Sequence, residues 1–340
     1  MKKLRVGIIG CGRISVMHLD PASQLEYSQL VACCDIVYEK ALKVAKDYNI
    51  NAYIDYKEMI DKENLDVVHI CLPHHIHTEV SEYAFNKGVN VLSEKPMSID
   101  YESAENAVKV AKEKGVLYGV IFQCRYNNSA QFVKKTLKDG KLGKIISARS
   151  VLTWIRDDAY YADCDWKGTW DKEGGGVIIN QTIHTVDLVN WMIDCPFKKV
   201  FTTMSNRQHP TIKVEDTAEG LVLYENGVRY SFFATNNYGI DEPIEIKLHC
   251  EKGDVTFNYN DAYIVYKNGE KEEAHQHTTA TYKWSMDYWG IQHVTQIEQF
   301  YKACLGLEPL DLSGEEALKT HKLICEIYKQ GKLNFHTENE

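Results

Sequence analysis

The chain has 340 residues, of which 44% are hydrophobic and 11% aromatic, enough apolar material for about two packed domains. The formal net charge is −9 at pH 7 and no cluster of lysine and arginine stands out, so neither nucleic acid nor a membrane surface is an expected partner. No apolar stretch approaches the roughly 20 residues of a membrane-spanning helix. The scattered cysteines form no C-x-x-C motif, a pattern typical of the reducing cytoplasm.

Short β-rich runs alternate with amphipathic segments in the first third of the chain. The opening MKKLRVGIIGCG is interpreted as a strand, because glycines interrupt its apolar run too early for a signal peptide. The runs LVACCD, DVVHICLP and VNVLSEKP have the composition of strands buried on both faces. Helices are predicted between them at Glu39–Tyr48, Thr78–Lys87 and Tyr101–Lys114. This alternation predicts right-handed βαβ units and a doubly wound parallel sheet.

Turn dipeptides mark the second part of the chain. Asn226–Gly227, Lys252–Gly253 and Asn268–Gly269 each separate two β-rich runs, which predicts three antiparallel hairpins. The segment TTATYKWSMDYWG is expected to form an irregular loop. Helices are predicted over Ser129–Lys138, His184–Met192, His293–Leu305 and Gly314–Lys329.

The end of the first strand carries a glycine motif, VGIIGCGRIS. Gly10 suits a tight turn, Gly12 allows backbone to approach a pyrophosphate, and Ser15 is small enough for close packing of helix on strand. Alone, this motif is compatible with a tight turn that binds nothing. Asp35 ends the second strand, where an acid holds the ribose hydroxyls of adenosine, and no basic residue stands at the next two positions. Together these features predict binding of NAD rather than NADP.

These patterns define a fold class. We predict an α/β Rossmann domain that binds NAD over residues 1–123. Residues 124–340 are expected to form an α+β domain with a large, mainly antiparallel open sheet, which binds substrate and builds the oligomer. Its C-terminal helix, 314–329, is expected to pack back on the body of the protein.

Two loops follow the fourth and fifth strands. The first, CLPHHIH, contains His74, His75 and His77. A metal site is the alternative, but no cysteine or carboxylate stands beside them, so we expect the histidines to be solvated or to contact cofactor or substrate. In the second, Glu94 and Lys95 precede a proline. A partly desolvated lysine there can steady an alkoxide or share in proton transfer. The alternative is an ordinary surface lysine.

A second candidate site lies in EGGGVIINQTIHTVDLVNWM. Spacings of four and three residues place Asn180, His184 and Asp187 on one helical face after a glycine triplet. The alternative for His184 is a buried histidine where the helix packs on the sheet. Upstream, TWIRDDAYYADCDWKGTW interleaves aromatic and charged side chains, including Arg156 and Tyr160, which suits a ring bearing many hydroxyls. A loop that covers one domain or contacts a second subunit is equally compatible.

Together, GIIGCGRIS, Asp35, CLPHHIH, EKP, GGGVIINQTIH and YWGIQHVTQIEQF resemble the Gfo/Idh/MocA family, the glucose–fructose oxidoreductase and inositol dehydrogenase type, over nearly the whole chain. The resemblance implies nicotinamide-dependent oxidoreduction of sugars and cyclic polyols, with a catalytic lysine at Lys95 and a catalytic histidine at His184. It also implies a homodimer or homotetramer built by the open sheet. Asn180 stands where the family often has aspartate, and some sugar-oxidising branches of the family carry asparagine at this position. Thr182 replaces a usual glycine of the family.

The resulting hypothesis is a cytoplasmic, NAD-dependent dehydrogenase that acts on a secondary hydroxyl of a sugar, sugar derivative or cyclitol, without a metal. A redox-neutral enzyme that retains NAD while it cleaves or epimerises a sugar is one alternative. A non-catalytic NAD-binding sensor is another. The predicted substrate-binding residues are Asn180, Trp166, Arg156 and Tyr160. The predicted cofactor-binding residues are Gly10, Cys11, Gly12, Arg13, Ile14, Asp35, Leu72, Pro73, His74, His77, Glu94 and Lys95.

Overall fold

The computed structural model describes residues 2–275 and 292–337. The chain divides into two compact units, one joining Met1–Gln123 to Gln292–Leu318 and the other joining Cys124–Ile291 to Lys319–Glu340. The segment TTATYKWSMDYWG lies outside the described residues. Among the described residues, no helix combines the length and the apolar content needed to cross a bilayer.

The first unit contains the strand–helix alternation that the sequence predicts. Its elements begin with β1 (Leu4–Ile9), α1 (Val16–Gln24), β2 (Ser28–Cys34), α2 (Tyr38–Tyr48), β3 (Asn51–Tyr53), α3 (Tyr56–Lys62), β4 (Val67–Ile70), α4 (His77–Asn86), β5 (Asn90–Ser93), α5 (Tyr101–Lys114) and β6 (Tyr118–Val120). All neighbouring strands are parallel, in the order β3-β2-β1-β4-β5-β6. The doubly wound parallel sheet is therefore confirmed. The order reverses between β1 and β4, so the loops after these strands border the crevice where such sheets bind ligands.

The remaining elements belong to the second unit, apart from the helix His293–Cys304 and the first residues of the helix Gly314–Gly331. In chain order these are α6 (Asn128–Lys138), β7 (Ile145–Thr153), α7 (Asp158–Ala162), α8 (Ile183–Ile193), β8 (Phe197–Asn206), β9 (Thr217–Tyr224), β10 (Arg229–Thr235), β11 (Glu245–Cys250), β12 (Gly253–Phe257), β13 (Asp261–Tyr266), β14 (Lys271–His275), α9 (His293–Cys304), α10 (Gly314–Gly331) and β15 (Phe335–Thr337). The sheet order is β14-β13-β12-β11-β7-β10-β9-β8-β15. Its pairs are antiparallel except β7–β10 and β8–β15. The three predicted hairpins are present, so the mainly antiparallel sheet is also confirmed.

The two faces of this sheet differ. Alternate residues of β10, such as Tyr230 and Phe232, are buried, as a period of two residues requires. On the opposite face, Phe201 is 47%, Phe233 40% and Val265 46% exposed. This outward face, defined by those three side chains, is thus partly apolar.

Helix α9 belongs to the first unit, although the sequence analysis placed it in the second domain. Ile297, Phe300 and Tyr301 join the core cluster that contains Val6 and Leu92. Gln296 also donates to the Val120 carbonyl at 2.7 Å and accepts from the Phe122 N–H at 3.0 Å. The apolar face of α9 and the side chain of Gln296 therefore attach this helix, which is distant in sequence, to the first unit.

Candidate active site

The glycine loop after β1 has one glycine that the fold requires and one that it does not. Gly10 has φ +95, and a Cβ there would lie 2.2 Å from the Cys71 carbonyl oxygen. A Cβ at Gly12 would meet nothing within 4 Å. A short 3₁₀ turn, Arg13–Ser15, then leads into α1. The loop thus leaves open space at Gly12, in front of a helix start whose N–H groups suit a phosphate.

Asp35 lies just after β2 and is tied to this loop. Its carboxylate accepts hydrogen bonds from the backbone N–H of Cys11 and of Val37, both at 2.8 Å. A carboxylate has about four lone-pair positions, so it retains capacity to accept from ribose hydroxyls. The next side chain, Ile36, is 86% exposed and uncharged. These residues fit NAD, and they provide no positive charge beside Asp35 for a 2′-phosphate.

The histidines after β4 are largely inside the unit. His77 is fully buried, and its two ring nitrogens lie 2.7 Å from the carbonyl oxygens of Leu72 and Pro96. Burial lowers the pKa of His77. His74 is also buried, at 4% exposure. His77 therefore joins the loops after β4 and β5 rather than pointing to solvent, and no group of three or more metal-ligating side chains is found among the described residues.

The loop after β5 is buried except at one residue. From Val91 to Ser98, Lys95 alone is partly exposed. The neighbouring Glu94 is 6% exposed, and its carboxylate lies 2.9 Å from His18 Nε2 and 3.4 Å from His293 Nε2. Burial opposes ionisation of Glu94, but the hydrogen bonds from the two histidines outweigh it and hold its pKa well below the usual range. Lys95 is thus a half-buried lysine in a buried loop, not a lysine at a loop tip.

The contacts behind Glu94 fix the protonation pattern of two histidines. Burial lowers the pKa of both His18 and His69, so both are neutral near pH 7. Because an ionised carboxylate only accepts, His18 Nε2–H donates to Glu94, and His18 Nδ1 must accept from His69 Nδ1–H at 2.9 Å. His69 Nε2 then accepts from the Tyr301 hydroxyl at 3.0 Å. Nothing in sequence spacing links these positions, and the sequence analysis missed them.

In the second unit, α8 is preceded by a π-helical turn, Ile178–Thr182, a feature frequent at functional sites. Between Val177 and Asn190, only Asn180 and His184 are not buried. Asn180 and His184 are therefore the two side chains of this stretch that stay partly exposed, as the predicted shared face requires.

Asp187, the third residue of the predicted face, points elsewhere. It is 1% exposed, and Arg125 donates to both of its oxygens, at 2.8 and 2.7 Å. Thr320 donates to it as well, at 2.8 Å. The expectation is wrong for Asp187, because a buried carboxylate turns towards the cation and hydroxyl that satisfy it.

The glycine triplet before α8 allows close packing. A Cβ at Gly175 would lie 2.1 Å from the Tyr328 hydroxyl oxygen, and one at Gly176 would lie 1.9 Å from the Glu215 backbone oxygen. The Glu215 carboxylate accepts from the N–H groups of Gly176 at 2.9 Å and Ile178 at 3.1 Å, and from Tyr328 at 2.6 Å. Burial raises the pKa of Glu215 to about 7. These two supporting residues lie far from the motif in sequence, which gave no signal for them.

Three of the four predicted substrate residues lie together. The Tyr160 hydroxyl is 3.1 Å from Asn180 Nδ2, and the Arg156 guanidinium is 5.5 Å from the centre of the Tyr160 ring. Arg156 also pairs with Asp241 at 3.1 Å. Trp166 is partly exposed. The arrangement brings together an amide, a phenol and a guanidinium, all suited to hydrogen bonding with hydroxyl groups.

Known proteins resemble this chain along most of its length. Residues 4–122 match the model of an oxidoreductase family with an NAD-binding Rossmann fold, and residues 130–256 match the GFO/IDH/MocA C-terminal domain. Levoglucosan dehydrogenase of Pseudarthrobacter phenanthrenivorans is 24% identical over 76% of this chain and 74% of its own. Myo-inositol 2-dehydrogenase of Thermotoga maritima is 21% identical over 92% of both chains. The WlbA dehydrogenase of Bordetella pertussis, solved with NADH and UDP-GlcNAcA, has a TM-score of 0.85 and 25% identity, with 97% of both chains covered.

The two loop glycines predict different outcomes for the same substitution. Gly10→Ala should lower the melting temperature, because its Cβ meets backbone at 2.2 Å and its φ is +95. Gly12→Ala should keep the melting temperature but weaken NAD binding by about tenfold or more, because the methyl group occupies the approach of the pyrophosphate. Thermal denaturation measures the melting temperature of each variant, and NAD titration measures its affinity for the cofactor. Gly239→Ala, which also meets open space, is the control, and unchanged NAD affinity in Gly12→Ala would contradict the assignment.

Proposed function

We propose that this chain, which belongs to the Gfo/Idh/MocA family of NAD-binding oxidoreductases, oxidises a secondary hydroxyl of a sugar, sugar derivative or cyclitol. The observation that carries the proposal is the exposure pattern: Lys95 in one segment, and Asn180 and His184 in another, are the partly exposed polar residues of otherwise buried stretches. Relatives named for levoglucosan and myo-inositol, both polyhydroxylated rings, support this substrate class.

The proposed mechanism divides the work among three side chains. When bound, NAD would supply the acceptor for the hydride that leaves the hydroxyl-bearing carbon. His184 accepts the hydroxyl proton, and the positive charge of Lys95 favours the developing alkoxide character. Asn180 cannot ionise, so it orients the substrate by hydrogen bonds. The relatives reported above are named as dehydrogenases, which favours net oxidation over the redox-neutral and non-catalytic alternatives.

The cofactor preference follows from the surroundings of Asp35. NAD should bind more tightly than NADP, because the carboxylate repels a 2′-phosphate and the following residues carry no positive charge. Asp35→Ser should reduce the difference between the affinities for NAD and NADP. Titration of both cofactors measures it, with the exposed Asp171→Ser as control, and equal affinities of the parent protein for NAD and NADP would refute the proposal.

The catalytic assignment is tested by Lys95→Met and His184→Ala. Each should lower turnover by about 10²–10⁴-fold, because each removes a proton-transfer or charge-stabilising group. NAD affinity should stay near the parent value. Turnover is followed by NADH absorbance with levoglucosan, methyl β-D-glucoside and myo-inositol as probes. Turnover within a few-fold of the parent in both variants would end the assignment, and parallel loss of NAD binding would show that these residues only build the cofactor pocket.

Assembly is proposed from the outward face of the second sheet. Exposed Phe201, Phe233 and Val265 favour coverage by a second copy, in a homodimer or homotetramer. Light scattering at micromolar concentration checks this, and a mass of 39.0 kDa would refute it.

All ten cysteines are free thiols, which favours the cytoplasm as the compartment; cell fractionation tests that location.

A further inference from the structure

Glu173 is a buried carboxylate beside the substrate residues that the sequence analysis did not single out. It is 1% exposed. One oxygen accepts from Asn180 Nδ2 at 2.6 Å and the other from the Gly168 N–H at 2.5 Å. Both oxygens therefore face N–H donors, an arrangement that an ionised carboxylate satisfies and a protonated one does not.

This contact determines which way the Asn180 amide points. Because the carboxylate only accepts, the amide nitrogen must lie on the Glu173 side. The same Nδ2 then donates its second hydrogen to the Tyr160 hydroxyl oxygen, at 3.1 Å. Glu173 thus sets the direction of two successive hydrogen bonds.

Tyr160 becomes a donor as a result. Its oxygen accepts from Asn180 Nδ2 and, at 3.5 Å, from Gln181 Nε2, which uses both lone pairs. Within residues 2–275 and 292–337, no acceptor takes the Tyr160 hydroxyl hydrogen. Burial raises the pKa of Tyr160 to about 12, so the hydrogen is present at neutral pH. Lys167 Nζ lies 3.9 Å from the ring centre, and a cation over the ring withdraws charge from the phenol and strengthens it as a donor.

We propose that Glu173 is a positioning residue of the substrate site, and that through Asn180 it makes Tyr160 donate its hydrogen to an oxygen of the bound sugar or cyclitol. The site then selects a ligand with a hydroxyl or keto oxygen at that point and rejects one with an ammonium group there, since two donors would face each other. This inference rests on the proposed function, so its experiment has one arm that needs no turnover.

The first arm measures stability. Asn180→Asp places a second carboxylate at the 2.6 Å contact with Glu173 and should lower the melting temperature. Adding Glu173→Gln should restore it, because the new amide donates to Asp at position 180 while its oxygen still accepts from Gly168. Asn226→Asp, at an exposed hairpin turn, is the matched control and should change little. An unchanged melting temperature in Asn180→Asp, or no rescue by Glu173→Gln, would overturn the positioning role.

The second arm measures KM and kcat with whichever of levoglucosan, methyl β-D-glucoside or myo-inositol is oxidised fastest. Tyr160→Phe should raise KM about tenfold, the size of one hydrogen bond, with little change in kcat or NAD affinity. In the protein that already carries Glu173→Gln and Asn180→Asp, Tyr160→Phe should change KM little. There the Tyr160 hydroxyl donates its hydrogen to the new carboxylate at position 180 and not to the substrate. Tyr263→Phe, exposed on the second sheet, is the control.

The outcomes separate the two claims. An equal rise of KM on Tyr160→Phe in both backgrounds would overturn the link from Glu173 to Tyr160, as would no rise in the parent protein. If none of the three probes is oxidised, the proposed function fails. The stability arm then still supports or overturns Glu173 as the residue that orients Asn180.

Discussion

The π-helical turn and helix that carry Asn180 and His184 begin at a buried carboxylate, Glu215, and carboxylates hold the other candidate segments of this protein in the same way. Glu215 accepts from the backbone at the glycine triplet. A carboxylate removed from water must be satisfied by donors, so a segment that supplies those donors is held in place. Buried Glu94 and Glu173 accept from Lys95 and Gly168 in the same way, and the partly buried Asp35 accepts from Cys11.

Glu94, Glu173 and Glu215 are buried, whereas Asp35 is only partly buried and retains capacity to accept from ribose hydroxyls. The partly exposed candidate side chains are Lys95, His184, Asn180 and Tyr160, and none of them is a carboxylate. In the proposed mechanism, a carboxylate beside the hydroxyl under oxidation would repel its developing alkoxide character. The protein therefore keeps the carboxyl groups of Glu94, Glu173 and Glu215 inside, where they accept hydrogen bonds from the backbone.

In the buried network around Glu94, neutral side chains supply the hydrogen bonds that hold the carboxylate in place. Each hydrogen bond from Tyr301 through His69 and His18 runs in one direction, towards the carboxylate. Because Glu94 only accepts, the tautomer of His18 follows, and that of His69 follows in turn. Residues from α1, β4 and α9 thus converge on the segment that presents Lys95.

Local patterns were enough to predict the parallel sheet, the hairpins, the glycine loop with Asp35, and Lys95 and His184 as candidates. Each of these depends on the period of apolar residues, on turn chemistry, or on a short motif, and all are contained in neighbouring positions. The orientation of Asp187, the burial of His77, and the roles of Glu173, Glu215 and Tyr328 came only from the tertiary structure. Spacing placed Asp187 beside His184, but Arg125 and Thr320 turned it inward. A buried polar side chain is directed by whichever partner satisfies its charge, and that partner can stand anywhere in the chain.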